Sequence, residues 1–75
     1  MTTPIATSIR LTVNGDRRDV TPGLTVGGLL RELQLDPRLV VVERNREILR
    51  DRAAHDTIAL ADGDVLELVH FVGGG

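Results

Sequence analysis

The fold of this chain is decided by its end, DGDVLELVHFVGGG (residues 62–75). Asp62-Gly63-Asp64 predicts a tight turn, because aspartate and glycine adopt turn conformations at little cost. Residues 65–72 predict a strand in which Leu66 and Leu68 alternate with Glu67. We therefore expect both leucines to point into a hydrophobic core and the intervening side chains to point away from it.

Val69 and Phe71 fall on the same side of this strand as Glu67. Phe71 is the only aromatic residue of the chain. In one interpretation the strand twists and Phe71 covers an edge of the core. In the other, Val69, Phe71 and Val72 form an apolar docking patch, because exposed apolar patches often mark partner sites.

Three glycines, Gly73, Gly74 and Gly75, follow the strand. Glycine loses the most conformational freedom on ordering, so this tail does not hold the fold together. It offers a thread without side chains, about 10 Å long when extended, which fits a narrow channel. Its tip carries an α-carboxylate, and we interpret Gly75 as the reactive residue.

Upstream of the tail, the sequence predicts a small body of strands with one helix. Alternation over residues 8–13, the turn signal Asn14-Gly15 and the stretch 17–20 predict a β-hairpin. Thr25 is placed to cap a helix that ends at Asp36-Pro37. That helix has an apolar stripe of Val26, Leu29, Leu30 and Leu33.

Residues 39–43 predict a central strand, and residues 47–49 a short one. The predicted order is β-β-α-β-(short β)-β. The division is a lead-in at 1–7, a domain at 8–72 and a glycine tail at 73–75.

Three local features allow more than one interpretation. Gly27 and Gly28 each cost a helix about 1 kcal/mol relative to alanine; we expect tertiary packing to tolerate them, and close approach of another backbone is the alternative. Asp62, Asp64 and Glu67 suggest either a metal site or, as we prefer, a solvated turn. His70, on the core-side parity, is expected to fill a strand end or touch the rim of the core and not to act in catalysis.

Composition excludes several classes of function. The 75 residues include no cysteine, so disulfides, thiolate metal sites and cysteine nucleophiles are impossible. The net charge of −2 gives no electrostatic footprint for nucleic acid. All nine basic residues are arginine. No secretion signal or membrane-length apolar run is visible, so we expect a cytoplasmic protein without a membrane partner.

The chain resembles the ThiS family, the bacterial sulfur carriers of thiamine biosynthesis, which are ubiquitin-like. The resemblance spans nearly all of residues 8–75. The segments that carry it are 11–15 (LTVNG), 29–33 (LLREL), 42–45 (VERN) and, above all, 62–75 (DGDVLELVHFVGGG). It implies an α+β fold of the β-grasp type, with a mixed four- to five-stranded sheet packed on one main helix. The third glycine departs from the two-glycine tail of the family.

The resemblance also implies a function in which the protein is a cosubstrate and not an enzyme. A ThiF-like adenylating enzyme that uses ATP and Mg²⁺ would activate the carboxylate of Gly75. A sulfur donor protein would convert the adenylate to a thiocarboxylate, and a ThiG-like thiazole synthase would take the sulfur. Gly73 and Gly74 would lie in the partner's channel. No cofactor, metal or catalytic residue of its own is expected. The alternatives are a molybdopterin-type carrier and a ubiquitin-like modifier joined to targets through Gly75.

Overall fold

A computed structural model describes residues 8–71. These residues form five strands and one α-helix in the predicted order. The strands are β1 (Ile9–Val13), β2 (Asp16–Val20), β3 (Val40–Arg44), β4 (Glu47–Ile48) and β5 (Val65–His70). The helix α1 is Val26–Glu32, and two short 3-10 helices span Pro37–Leu39 and Arg52–Ala54.

The strands form one mixed sheet with the order β2-β1-β5-β3-β4. β5 is parallel to β1 and antiparallel to β3, while β1–β2 and β3–β4 are antiparallel pairs. The prediction that residues 39–43 form a central strand is confirmed, because β3 lies between β5 and β4, although β5 takes the middle place in the sheet. Apolar runs show which strands are buried but do not show which strand inserts between two others.

The predicted hairpin forms at Asn14-Gly15, where both residues have positive φ, 49° and 85°. The Asn14 side chain also bonds the middle strand. Its Oδ1 accepts from the Leu68 N–H at 2.7 Å and its Nδ2 donates to the Leu68 carbonyl at 3.3 Å. The turn thus continues the β1–β5 pairing beyond the end of β1.

The helix begins as predicted and ends earlier than predicted. Thr25 Oγ1 accepts from the Gly28 N–H at 3.0 Å, which satisfies one free donor of the first turn. The helix stops at Glu32 because Gln34 adopts a left-handed φ of 58° and the Leu35 N–H bonds back to the Leu30 carbonyl at 2.9 Å. Asp36 caps the following 3-10 helix instead.

One face of the sheet and the helix enclose the core. Its buried members are Leu11, Val20, Val26, Leu29, Leu30, Val40, Val42, Leu60, Leu66 and Leu68. Leu66 and Leu68 occupy the core positions that the alternation in β5 predicts. This packing leaves the opposite face of β5 uncovered by any described element. Residues 72–75 follow β5 in the sequence.

Gly27 has a packing role, contrary to the expectation that it is merely tolerated. It is buried, and its N–H donates to the His55 carbonyl at 3.0 Å. A Cβ at Gly27 would overlap the Asp56 carboxylate. The alternative interpretation, close approach of another backbone, is the one the structure supports for Gly27, because the backbone of His55 and Asp56 lies next to it.

Candidate functional site

The candidate site is the C-terminal end of β5, which we call the root of the tail because residues 72–75 follow it in the sequence. β5 ends at His70, and the Phe71 N–H donates to the Leu39 carbonyl at 2.7 Å. This bond continues the β3–β5 pairing by one step. Val72, Gly73, Gly74 and Gly75 lie outside the described residues, so their assigned roles stay predictions, as do the limits of the domain at 8–72.

The face of the sheet that points away from α1 is apolar next to the root of the tail. Val69 and Phe71 are 54% and 53% exposed. The interpretation in which Phe71 covers an edge of the core is therefore wrong, because more than half of its surface stays exposed. Val41 lies directly opposite Val69, and Leu39 faces Phe71. We call these four residues the apolar strip.

The sequence reasoning missed two members of the apolar strip, Leu39 and Val41. Both lie in the stretch 39–43, whose continuous apolar run hides the alternation between core and surface. Val40 and Val42 are buried, whereas Leu39 is exposed and Val41 is half-buried. The alternation expected of any strand could have indicated that Leu39 and Val41 share a face. Only the register with β5 shows that this face flanks Val69 and Phe71.

The next row along the same face is acidic. Glu43 lies directly opposite Glu67 across the β3–β5 pair, and Ile48 of β4 lies opposite Glu43 on the other side. The face thus changes from apolar to negative within one row.

The turn before β5 is only partly the solvated turn that was predicted. Asp62 is exposed, and its Oδ1 accepts from the Arg10 N–H at 2.7 Å. Asp64 is only 5% exposed and accepts from Arg44 Nε at 2.9 Å, Asn45 Nδ2 at 3.0 Å and the Ala61 N–H at 2.9 Å. The prediction that Asp64 is solvated is therefore wrong, because the β3–β4 turn covers its side chain.

These contacts change the acidity of Asp64. Burial raises the pKa of its carboxyl, but the hydrogen bonds from Ala61, Asn45 and Arg44 outweigh burial and hold the pKa below the usual value of 3.8. Asp64 is thus an ionised structural anchor at the start of β5. Among residues 8–71 no group of three metal-binding side chains comes together.

The two histidines have different environments, one buried and one exposed. His55 is 3% exposed, and its Nε2 lies 3.3 Å from the Leu49 carbonyl. Its Nδ1 has no partner among the described residues. His70 is exposed at the end of β5, although its parity lies on the core side. Neither histidine meets a nucleophilic side chain in the contacts of the described part of the chain.

The root of the tail also carries a tight ion pair. Asp36 accepts from the Arg38 guanidinium at 2.8 Å and 3.1 Å and from the Arg38 N–H at 2.9 Å. The hydrogen bonds from Arg38 lower the pKa of Asp36 to about 2, with a smaller contribution from nearby His70. This charge stays fixed on the 3-10 helix that precedes β3.

Known proteins resemble this chain along most of its length. The sequence model described as the ThiS family matches residues 11–75, which includes the glycine tail. The sulfur carrier protein ThiS of Bacillus subtilis (strain 168) is 49% identical over 51 residues, which are 68% of this chain and 76% of that protein. The crystal structure of a thiamine biosynthesis protein (ThiS) from Geobacter metallireducens superposes with a TM-score of 0.74 at 40% identity, covering 89% of this chain and 100% of that one.

A thiazole synthase also contains a similar region. The enzyme of Paramagnetospirillum magneticum is 45% identical over 67 residues, which are 89% of this chain but 20% of the enzyme. The chain therefore spans about a fifth of the length of that relative. No helix among residues 8–71 is long and apolar enough to cross a membrane. The fold, the family match and these identities together show that the chain belongs to the ThiS family.

Proposed function

We propose that this protein is a sulfur carrier for thiamine thiazole synthesis and carries sulfur as a thiocarboxylate on Gly75. The observation that supports the proposal most is the ThiS family match through residue 75 on a β-grasp body. The middle strand runs from a buried anchor at Asp64 to an exposed apolar strip, and the predicted reactive tail begins there.

The chemistry follows from the acidity of the terminal carboxyl. With a pKa of about 3.3–3.7, a free α-carboxyl is an anion at pH 7 and resists attack by a nucleophile. An adenylating enzyme joins it to the α-phosphate of ATP and releases pyrophosphate. Hydrosulfide supplied by a donor then attacks the acyl carbon, the bond to AMP breaks so that AMP leaves, and a thiocarboxylate and a proton remain. Since this first step consumes ATP, the proposal places the protein in the cytoplasm.

The protein itself supplies binding and presentation. ATP and Mg²⁺ belong to the adenylating partner, and the present chain acts as its cosubstrate. Gly73 and Gly74 would thread the partner's channel, because a backbone without side chains needs the least room. Val69, Phe71 and Val72 would dock the body so that Gly75 reaches the reacting atoms.

Thiazole synthase is the proposed acceptor of the sulfur. The support is the thiazole synthase of P. magneticum, which holds a region 45% identical to this chain within the same polypeptide. Covalent linkage raises the effective concentration of a carrier beside its acceptor. We infer that the present chain also binds a thiazole synthase.

Intact-mass measurement tests the proposal. After incubation with ATP, Mg²⁺, sulfide and the adenylating enzyme of the same organism, the protein should gain roughly 16 Da, because SH replaces OH. A variant that lacks Gly74 and Gly75 is the control. It should gain no mass, and its free energy of unfolding should change by less than about 0.5 kcal/mol. Absence of the gain with an active enzyme would reject the proposal, and larger conjugates of the protein would favour a modifier instead.

A further inference from the structure

The outer face of the sheet contains a pair of like charges that the fold does not need. Glu43 and Glu67 are directly opposite on β3 and β5. The Phe71 N–H bond to the Leu39 carbonyl sets the alternation of the ladder, so 39/71, 41/69 and 43/67 are the hydrogen-bonded pairs. Their Cα atoms are then about 5.5 Å apart, and like charges in that position disfavour the folded chain.

None of the ion pairs within residues 8–71 includes Glu43 or Glu67. The ion pairs within residues 8–71 join Arg10, Arg31, Arg38 and Arg44 to four aspartates. Arg44 is adjacent to Glu43 in sequence, but its side chain turns to Asp64. The neighbours in the row carry no charge: Ile48 is apolar and 45% exposed, and Asn14, which the parallel register places beside Glu67, bonds the backbone of Leu68. Neither carboxylate therefore has an ion-pair partner among residues 8–71.

The surroundings of the pair indicate what would compensate it. Glu67 lies four residues before Phe71 on the same face, a distance of about 13 Å along an extended strand. A surface that packs on the apolar strip therefore also covers the two glutamates. Covering two carboxylates without a partner charge would be very unfavourable. A guanidinium has the planar fork of donors that can bridge two carboxylates.

We propose that Glu43 and Glu67 together bind an arginine side chain of thiazole synthase when the apolar strip docks on that enzyme. This inference rests on the proposed function and specifies the chemistry of its partner surface. The choice of partner follows from the thiazole synthase whose own chain contains a region like this one. The pair would set the orientation of the body while the tail reaches the enzyme.

Calorimetric titration of thiazole synthase with the full-length carrier tests the inference. Glu43→Gln and Glu67→Gln should each weaken binding about tenfold, as expected for the loss of a charge-assisted hydrogen bond. Both variants should also weaken the dependence of binding on NaCl. Glu32→Gln is the matched control, because Glu32 is an exposed residue at the end of α1 and should bind like the unmodified protein.

A second measurement separates this role from a structural one. Because the substitutions remove the repulsion, the free variants should melt a few degrees higher than the unmodified protein. The inference would be overturned if both glutamine variants bound as tightly as the unmodified protein, if they melted at lower temperatures, or if adding EDTA abolished binding. If the carrier gains the thiocarboxylate mass but does not bind thiazole synthase, the inference fails while the adenylation part of the proposed function stands. If neither occurs, both fail.

Discussion

The two faces of β5 are formed by alternate residues of one short strand, yet one face is buried and the other is exposed. On the inner face, Leu66 is fully buried and Leu68 nearly so, both inside the cluster that α1 covers. On the outer face, Val69 and Phe71 remain more than half exposed beside the acidic pair. The inner face is occupied by groups that stabilise the fold. The outer face keeps groups that stability alone would not select, which is typical of a surface that meets a partner.

Leu66→Ala should show the largest difference in unfolding free energy between a substitution on the inner face and one on the outer face. Leu66 has no exposed surface, so truncation leaves a cavity and should cost about 3 kcal/mol of unfolding free energy. Urea denaturation measures it. Val69→Ala on the same strand is the control and should change stability by less than about 0.5 kcal/mol. Similar losses for both variants would contradict the division into a structural and an interaction face.

Asp64→Asn should give the next largest effect. The amide would point a donor at groups that already donate, and we expect a loss of about 2 kcal/mol at pH 7. The unmodified protein has a lowered pKa at Asp64, so its stability contribution is complete above pH 3.8 and disappears as pH falls through the folded-state pKa.

Urea midpoints between pH 6 and pH 2 measure this effect. The stability gap between the two proteins should narrow as the pH falls below 3.8. Some acid dependence should persist in the variant, because Asp36 has its own pKa of about 2. A gap that stays constant over this range would show that the Asp64 charge contributes nothing.

Phe71→Ser should have the smallest effect on stability and a clear effect on partners. Since Phe71 is 53% exposed, we expect less than about 0.5 kcal/mol in unfolding free energy. The specificity constant kcat/KM for adenylation should fall about tenfold, because aromatic side chains often dominate interfaces. Steady-state kinetics with the adenylating enzyme measure it, and Val65→Ser, exposed at the far end of β5, is the control. Unchanged kinetics would remove Phe71 from the docking surface.

Much of the fold was predictable because its signals are local. The Asn14-Gly15 turn needs two positive φ values, and that demand is written in the residue types. The Thr25 cap, the stripe of α1 and the alternation of β5 depend on neighbours within one or two turns of chain. The end of α1 was predicted too late because Gln34, a residue with no special preference for a left-handed φ, terminates it.

The errors concern residues whose environment comes from far along the chain. Asp64 was expected in water, but Arg44 and Asn45 reach it from about twenty positions away. Gly27 was expected to be tolerated, but its N–H meets the His55 carbonyl. In the candidate site, Val69 and Phe71 were predicted to face outwards, whereas Leu39 and Val41 became visible only through the β3–β5 register.

The sequence by itself determined the order of elements, the core side of β5, the family and the run of three glycines at residues 73–75. These depend on residue type, spacing and backbone preference, which act over a few residues. Only the tertiary structure decided that β5 lies between β1 and β3, that Asp64 is buried, and that Glu43 faces Glu67 beside the apolar strip. Such juxtapositions arise because strand pairing joins distant segments, and their register depends on the packing of the whole core.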